Sequence, residues 1–92
     1  MKIKEHECVV LTQDVAEESL QAGDVGTVVH IHKDGAAYEV EFMTLTGRTV
    51  AVVTLGAKQV RPVASRDLSH VRPFAESTAA AVHEKPDKKY GA

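Results

Sequence analysis

Apolar residues come in short runs through the first two thirds of the chain, each rich in Val, Thr or aromatics and closed by a Gly- or Asp-containing break. That is the pattern of β-strands rather than helices. Cys8–Thr12 reads as the first strand. The polar stretch from Gln13 to Asp24 is long for a hairpin loop, carries Glu17 and Glu18, and ends on the turn signal Ala22-Gly23-Asp24. Val25–His32 reads as the second strand, with Gly26 near its start, where a missing side chain allows a bulge or a close backbone approach.

Asp34-Gly35 is the sharpest local signal, because a type I′ hairpin turn needs positive φ at both central residues. A two-residue loop there sets Ile31 against Tyr38, Val29 against Val40 and Thr27 against Phe42. Those six residues then form the core side of the hairpin. Val28, His30, His32, Glu39 and Glu41 fall on the opposite, solvated side, with His30 across from Glu39.

A second hairpin turns at Thr44–Gly47 and leads into Arg48–Leu55, where Val50-Ala51-Val52-Val53 is apolar on both faces. Such a strand is covered twice or presents an apolar face to a partner, which raises homodimerisation. Gly56-Ala57-Lys58-Gln59 has the length of one helical turn. Val60-Arg61-Pro62-Val63 is a short last strand whose proline suits an edge. The order of these elements predicts an all-β fold: a small five-stranded SH3-like barrel with a flexible or partly helical C-terminal tail.

The pattern changes after Val63, so residues 1–63 are expected to form the barrel and 64–92 a C-terminal extension, partly disordered. Ala75–Lys85 has helix-forming composition without an apolar stripe, and Lys85–Ala92 reads as disordered. Val60-Arg61-Pro62-Val63 and Val71-Arg72-Pro73-Phe74 are similar tetrapeptides. Two copies of so short a string do not make a repeat architecture.

Composition narrows the class. Ninety-two residues support one small core, and with four aromatics and no Trp it is built mainly from Val, Leu, Ile and Ala. Eleven Lys and Arg against thirteen Asp and Glu leave a net charge of −2, divided into −3 on residues 1–63 and +1 on the rest. Nucleic acid is disfavoured as a partner, since its phosphates are gripped by clustered cations. A single Cys8 allows neither an internal disulfide nor a Cys-rich zinc site, and no run approaches a membrane span or a signal-peptide core. A cytoplasmic protein is expected.

The stretches Ala22-Gly23-Asp24-Val25-Gly26-Thr27-Val28-Val29, Ala37-Tyr38-Glu39-Val40-Glu41-Phe42, Gly47-Arg48-Thr49-Val50-Ala51-Val52-Val53-Thr54-Leu55 and Val60-Arg61-Pro62-Val63 carry a family likeness. From about Val9 to Val63 the chain resembles a family of small bacterial proteins known as domain of unknown function 4926. The resemblance implies an SH3-like barrel, no established activity, no cofactor, and an accessory role such as the protective partner of a toxin-like neighbour. Gly23-Asp24-Val25-Gly26-Thr27-Val28 is also similar to the KOW motif of ribosomal and transcription-elongation domains, without the basic residues that its RNA-binding members use.

Candidate chemistry is sparse. His30, His32, Glu39 and Glu41 offer imidazoles and carboxylates on one face and are weak metal candidates; a solvated sheet face accounts for the same residues. Cys8, with His6 two residues away, is read as a small buried hydrophobe rather than a nucleophile. The first loop has no aromatics for a proline-rich peptide, but Asp14, Glu17, Glu18 and Asp24 make it acidic, a patch that could dock a basic protein. Leu45 and Arg48 at the second turn are further contact candidates. The expectation is a non-catalytic protein-binding module or accessory protein, of the antitoxin or immunity type that the resemblance implies. The alternatives are an RNA- or ribosome-associated KOW-like barrel and, third, a small metal-binding protein.

Overall fold

The computed structural model describes residues 2–75. Five strands are present: β1 (Cys8–Leu11), β2 (Val25–His32), β3 (Ala37–Met43), β4 (Thr49–Gly56) and β5 (Val60–Pro62). All neighbours are antiparallel, in the order β4-β3-β2-β1-β5. A long first loop, a β2–β3–β4 meander and a 3-10 turn at Ala57–Gln59 before the short β5 give the element order of an SH3-like barrel. The 3-10 turn is closed by the Gln59 side chain, whose Oε1 accepts from the Gly56 N–H at 2.8 Å.

β2 is shared between two neighbours. Val25 to Thr27 pair with β1, and Thr27 to His32 pair with β3. Gly26 sits where the strand bends across the core: a Cβ placed on it would lie 2.5 Å from Val40 Cγ1, 2.9 Å from Phe42 Cε2 and 3.0 Å from the Glu41 carbonyl oxygen. The glycine's role is therefore close packing, as its place in the strand suggested.

The hairpin register holds near the turn and slips beyond it. Ile31 faces Tyr38 and His30 faces Glu39, as the Asp-Gly signal predicts. The loop itself is four residues, Lys33–Ala36, with positive φ at Lys33, Asp34 and Gly35. A bulge between Val28 and His30 then moves the pairing by one, so that Val28 faces Val40 and Thr27 faces Glu41. Val28 is consequently fully buried and Val29 is 38% exposed, the reverse of the sequence expectation. A bulge adds one residue to one strand and so exchanges its two faces from that point on.

The core collects Val9 and Leu11 from β1, Val28 from β2, Tyr38, Val40 and Phe42 from β3, Leu55 from β4 and Val60 from β5. Ile3 enters from the N-terminal segment, and Val15 and Leu20 from the first loop. β4 is an edge strand, not a doubly covered one, and Val52 is 56% exposed. Cys8 corrects another expectation: it is exposed at the start of β1. No helix among the described residues is long and apolar enough to cross a membrane.

Beyond β5 the chain stays with the barrel. Ala64 to Asp67 form a turn that Arg61 clamps, and Phe74 packs half-buried against the core. The helix expected over 75–85 and the disorder expected over 85–92 lie outside the described residues, apart from Ala75. Replacing Gly26 with Ala should cost about 1–3 kcal/mol of unfolding free energy, because Val40, Phe42 and a β3 carbonyl would all have to move. Urea titration checks this; an unchanged midpoint would show that β2 can shift freely at this point.

Candidate protein-binding surface

The first loop is long but closely held. Val15 and Leu20 are buried, and their backbones exchange hydrogen bonds of 2.9 and 3.1 Å. Between them Ala16–Glu18 form a 3-10 turn, closed by Ser19 in the left-handed region at φ 60°. Two carboxylates brace the return of the chain. Asp14 Oδ1 accepts from the Ala22 N–H at 2.9 Å, and Asp24 Oδ2 accepts from the Gln21 N–H at 2.8 Å. The side chains of Glu17 and Glu18 stand exposed on the 3-10 turn, where the Glu18 N–H donates to the Val15 carbonyl at 3.0 Å.

Asp24 is also engaged from the C-terminal extension. Arg72 donates from Nε to Asp24 Oδ1 at 3.0 Å and from Nη2 to Oδ2 at 2.6 Å, a two-point pair, and Nη2 also donates to the Ser19 carbonyl at 3.2 Å. Both side chains are largely shielded, which makes the pair stronger than an exposed one. The loop is thus a surface that already binds a guanidinium, supplied in cis. Beside it Asp14, Ser19, Leu20, Gln21, Arg72 and Ala75 line a shallow hollow of about 330 Å³.

Arg72 was not among the residues singled out by sequence. The signal that pointed to it was the paired strings Val60-Arg61-Pro62 and Val71-Arg72-Pro73, and the two arginines behave alike. Arg61 donates to both oxygens of Asp67, at 3.0 and 2.9 Å, as Arg72 does to Asp24. Each also donates from Nη1 to the carbonyl of the proline that follows, at 2.9 Å for Arg61 and 3.5 Å for Arg72. Two of the cations that a phosphate backbone would need are therefore committed to carboxylates.

The other candidates lie on different elements. Leu45, 88% exposed, caps the β3–β4 turn, which the Thr44 side chain holds by accepting from the Arg48 N–H at 3.1 Å. On the solvated face of the first hairpin, His30 and His32 meet edge to face with ring centroids 4.7 Å apart. Glu5 approaches His30 at 3.9 Å and Glu39 approaches His32 at 3.5 Å. Glu39 also reaches toward β4, where it accepts from the Thr54 hydroxyl, and Glu41 accepts from the Thr49 hydroxyl. The Thr54 hydrogen bond is the chief reason that the Glu39 carboxyl is lowered below its ordinary range; partial desolvation opposes it, and His32 and His30 add to it. Among the described residues no group of three or more His, Cys, Asp or Glu converges to hold a metal ion. His6 and Cys8 are both exposed near the start of β1.

Two outcomes follow from the clamps. Arg72→Ala should lower the unfolding free energy by about 1–3 kcal/mol, with Arg72→Lys restoring only part of the loss, since an ammonium cannot match both oxygens of Asp24. Urea titration of the three proteins measures it. Asp67 is held at about 2, from an ordinary 3.8, first by Arg61 and then by the Ala64 N–H. Its folded value is depressed, so its contribution to the 64–67 turn is complete above about 3.8 and is lost as the pH falls through about 2. The Ala64 amide resonance should report a midpoint near 2; a midpoint near 3.8 would show that the turn is not clamped.

Neither the comparison with curated proteins nor that with solved structures returns a match. A family profile does match, over residues 5–62, which spans all five strands, the first loop and both hairpin turns. The chain therefore belongs to the domain-of-unknown-function family DUF4926.

Proposed function

We propose that this protein is a non-catalytic protein-binding module, an accessory partner of the antitoxin or immunity type, which offers its first loop to a basic protein. The observation that carries the reading is that Glu17 and Glu18 stand exposed on a loop whose other two carboxylates, Asp14 and Asp24, are already engaged. Arg72, by pairing with Asp24 at 2.6 Å, holds the loop in place and leaves the two exposed glutamates as its open charge.

The physical case rests on preorganisation. Glu17 and Glu18 are exposed, yet the turn that bears them is fixed by buried Val15 and Leu20 and by the Asp14 and Asp24 hydrogen bonds. A partner that binds there does not have to order the loop, and so avoids an entropy cost of about 1–2 kcal/mol per residue fixed. Exposed carboxylates around a neutralised Asp24 would act mainly on the association rate and on partner choice.

The test is affinity capture from the source cells with the wild-type chain and with Glu17→Lys/Glu18→Lys, both checked for an unchanged circular dichroism spectrum. A protein held by the wild type should be lost from the variant, with an association rate about tenfold lower and strongly dependent on salt. Equal capture by both proteins would remove the loop from consideration.

A further inference from the structure

The C-terminal extension reaches the first loop through an exposed stretch and then two anchors. Every residue from Val63 to Val71 is exposed. Arg72 and Phe74 are half-buried, the first on Asp24 and the second against the core, while Pro73 between them stays exposed. Among the described residues no backbone–backbone hydrogen bond joins 68–75 to the barrel, so the segment is held by its side chains alone. Both anchors also lie past the last strand and past residue 62, where the family match ends. The segment sits on the barrel as a bound peptide would.

We propose that the cleft beside the first loop is a docking site for a peptide segment of the form Arg-Pro-aromatic, filled in this chain by Arg72-Pro73-Phe74 and entered by the same motif on a partner protein that displaces it. The proposal does not rest on Glu17 and Glu18. It uses Asp24 and Ser19 of the loop, so either reading can fail without the other.

The motif follows from what the cleft presents. Asp24 Oδ2 is oriented by the Gln21 N–H at 2.8 Å, and the Ser19 carbonyl, on a residue in the left-handed region at φ 60°, takes no backbone donor among the described residues. The guanidinium of Arg72 meets both Asp24 oxygens and that carbonyl from one plane. An ammonium is a point charge without that spread, which selects arginine over lysine. Proline suits the middle position because it has no N–H to leave unpaired where the backbone makes no hydrogen bonds, and its fixed φ lowers the cost of ordering the segment. The aromatic supplies the apolar contact, as Phe74 does. The other Arg-Pro pair is the contrast: Arg61-Pro62-Val63 has no aromatic, Arg61 grips the nearby Asp67, and Val63 is 49% exposed. A short tether such as 63–71 holds its segment at an effective concentration of about 1 mM. For a motif with an intrinsic dissociation constant of about 0.1 mM, a partner's copy then binds the closed chain about tenfold more weakly than an emptied one.

The test titrates the full chain with an end-capped peptide of the sequence of residues 69–75, Ser-His-Val-Arg-Pro-Phe-Ala, and follows the amide resonances of Ser19 to Asp24. Against Arg72→Ala/Phe74→Ala, with the strand amides reporting the fold, the peptide should shift the loop resonances and bind about tenfold more tightly than it binds the wild type. Alanine in place of the peptide's arginine should abolish the shifts, lysine there should restore them only in part, and a scrambled peptide of the same composition should produce none. In isotope-labelled wild type the Arg72 Nε–H resonance should move toward its free position as peptide is added, a readout that decides the matter even where the double variant fails to fold. Arg72 unmoved at about 5 mM peptide, above the effective concentration of the tether, would overturn the proposal. So would a folded double variant whose loop resonances do not respond, equal affinity for wild type and variant, or equal binding of the scrambled peptide.

Discussion

The barrel hangs on β2, which hydrogen-bonds to β1 with its first half and to β3 with its second. A flat strand could not do both and still turn the two halves of the sheet toward one core. Two features let it bend: Gly26, over which Val40 and Phe42 close, and the bulge at Val29, which increases the local twist. Every large core residue of β3 is positioned by that bend. Leu55 follows from it in turn, because β4 takes its register from β3.

The same economy governs the charges. With so small a core, the loop and the extension are fastened by arginine–carboxylate pairs in addition to the apolar contacts of Val15, Leu20 and Phe74. Arg61 fastens the extension to β5, and Arg72 fastens it to the first loop. The acidic character that makes the loop a candidate contact surface is therefore already part of its architecture: Asp14 and Asp24 are structural, and Glu17 and Glu18 are what remains for a partner.

Much of this was legible in the residues. The position of the Asp-Gly turn, though not its four-residue length, the Thr44–Gly47 turn, the 3-10 turn before β5 and the strand count depend on local chemistry, and the sequence carries that directly. The bulge was not legible, because Val28 and Val29 are chemically identical and which of them faces inward is decided by the bend at Gly26, a tertiary fact. Cys8 was misplaced for a related reason: an apolar neighbourhood in sequence does not fix which face of β1 a residue takes. At the candidate surface the acids could be read, but their division into braces and free groups could not. That division depends on Arg72, nearly fifty residues away from Asp24 along the chain.

The composition of β4 has a consequence for the unfolded chain. Val50 to Leu55 is a six-residue stretch of high β-propensity with neither charge nor proline, the composition of segments that stack into cross-β fibrils when a chain is unfolded. In the native barrel one edge of it is held by β3, and Val50, Ala51, Val53 and Leu55 rest on the core. Loosening the barrel frees both. Chains weakened at the β2 bend should therefore expose this segment more often than the wild type and aggregate at a lower temperature on heating.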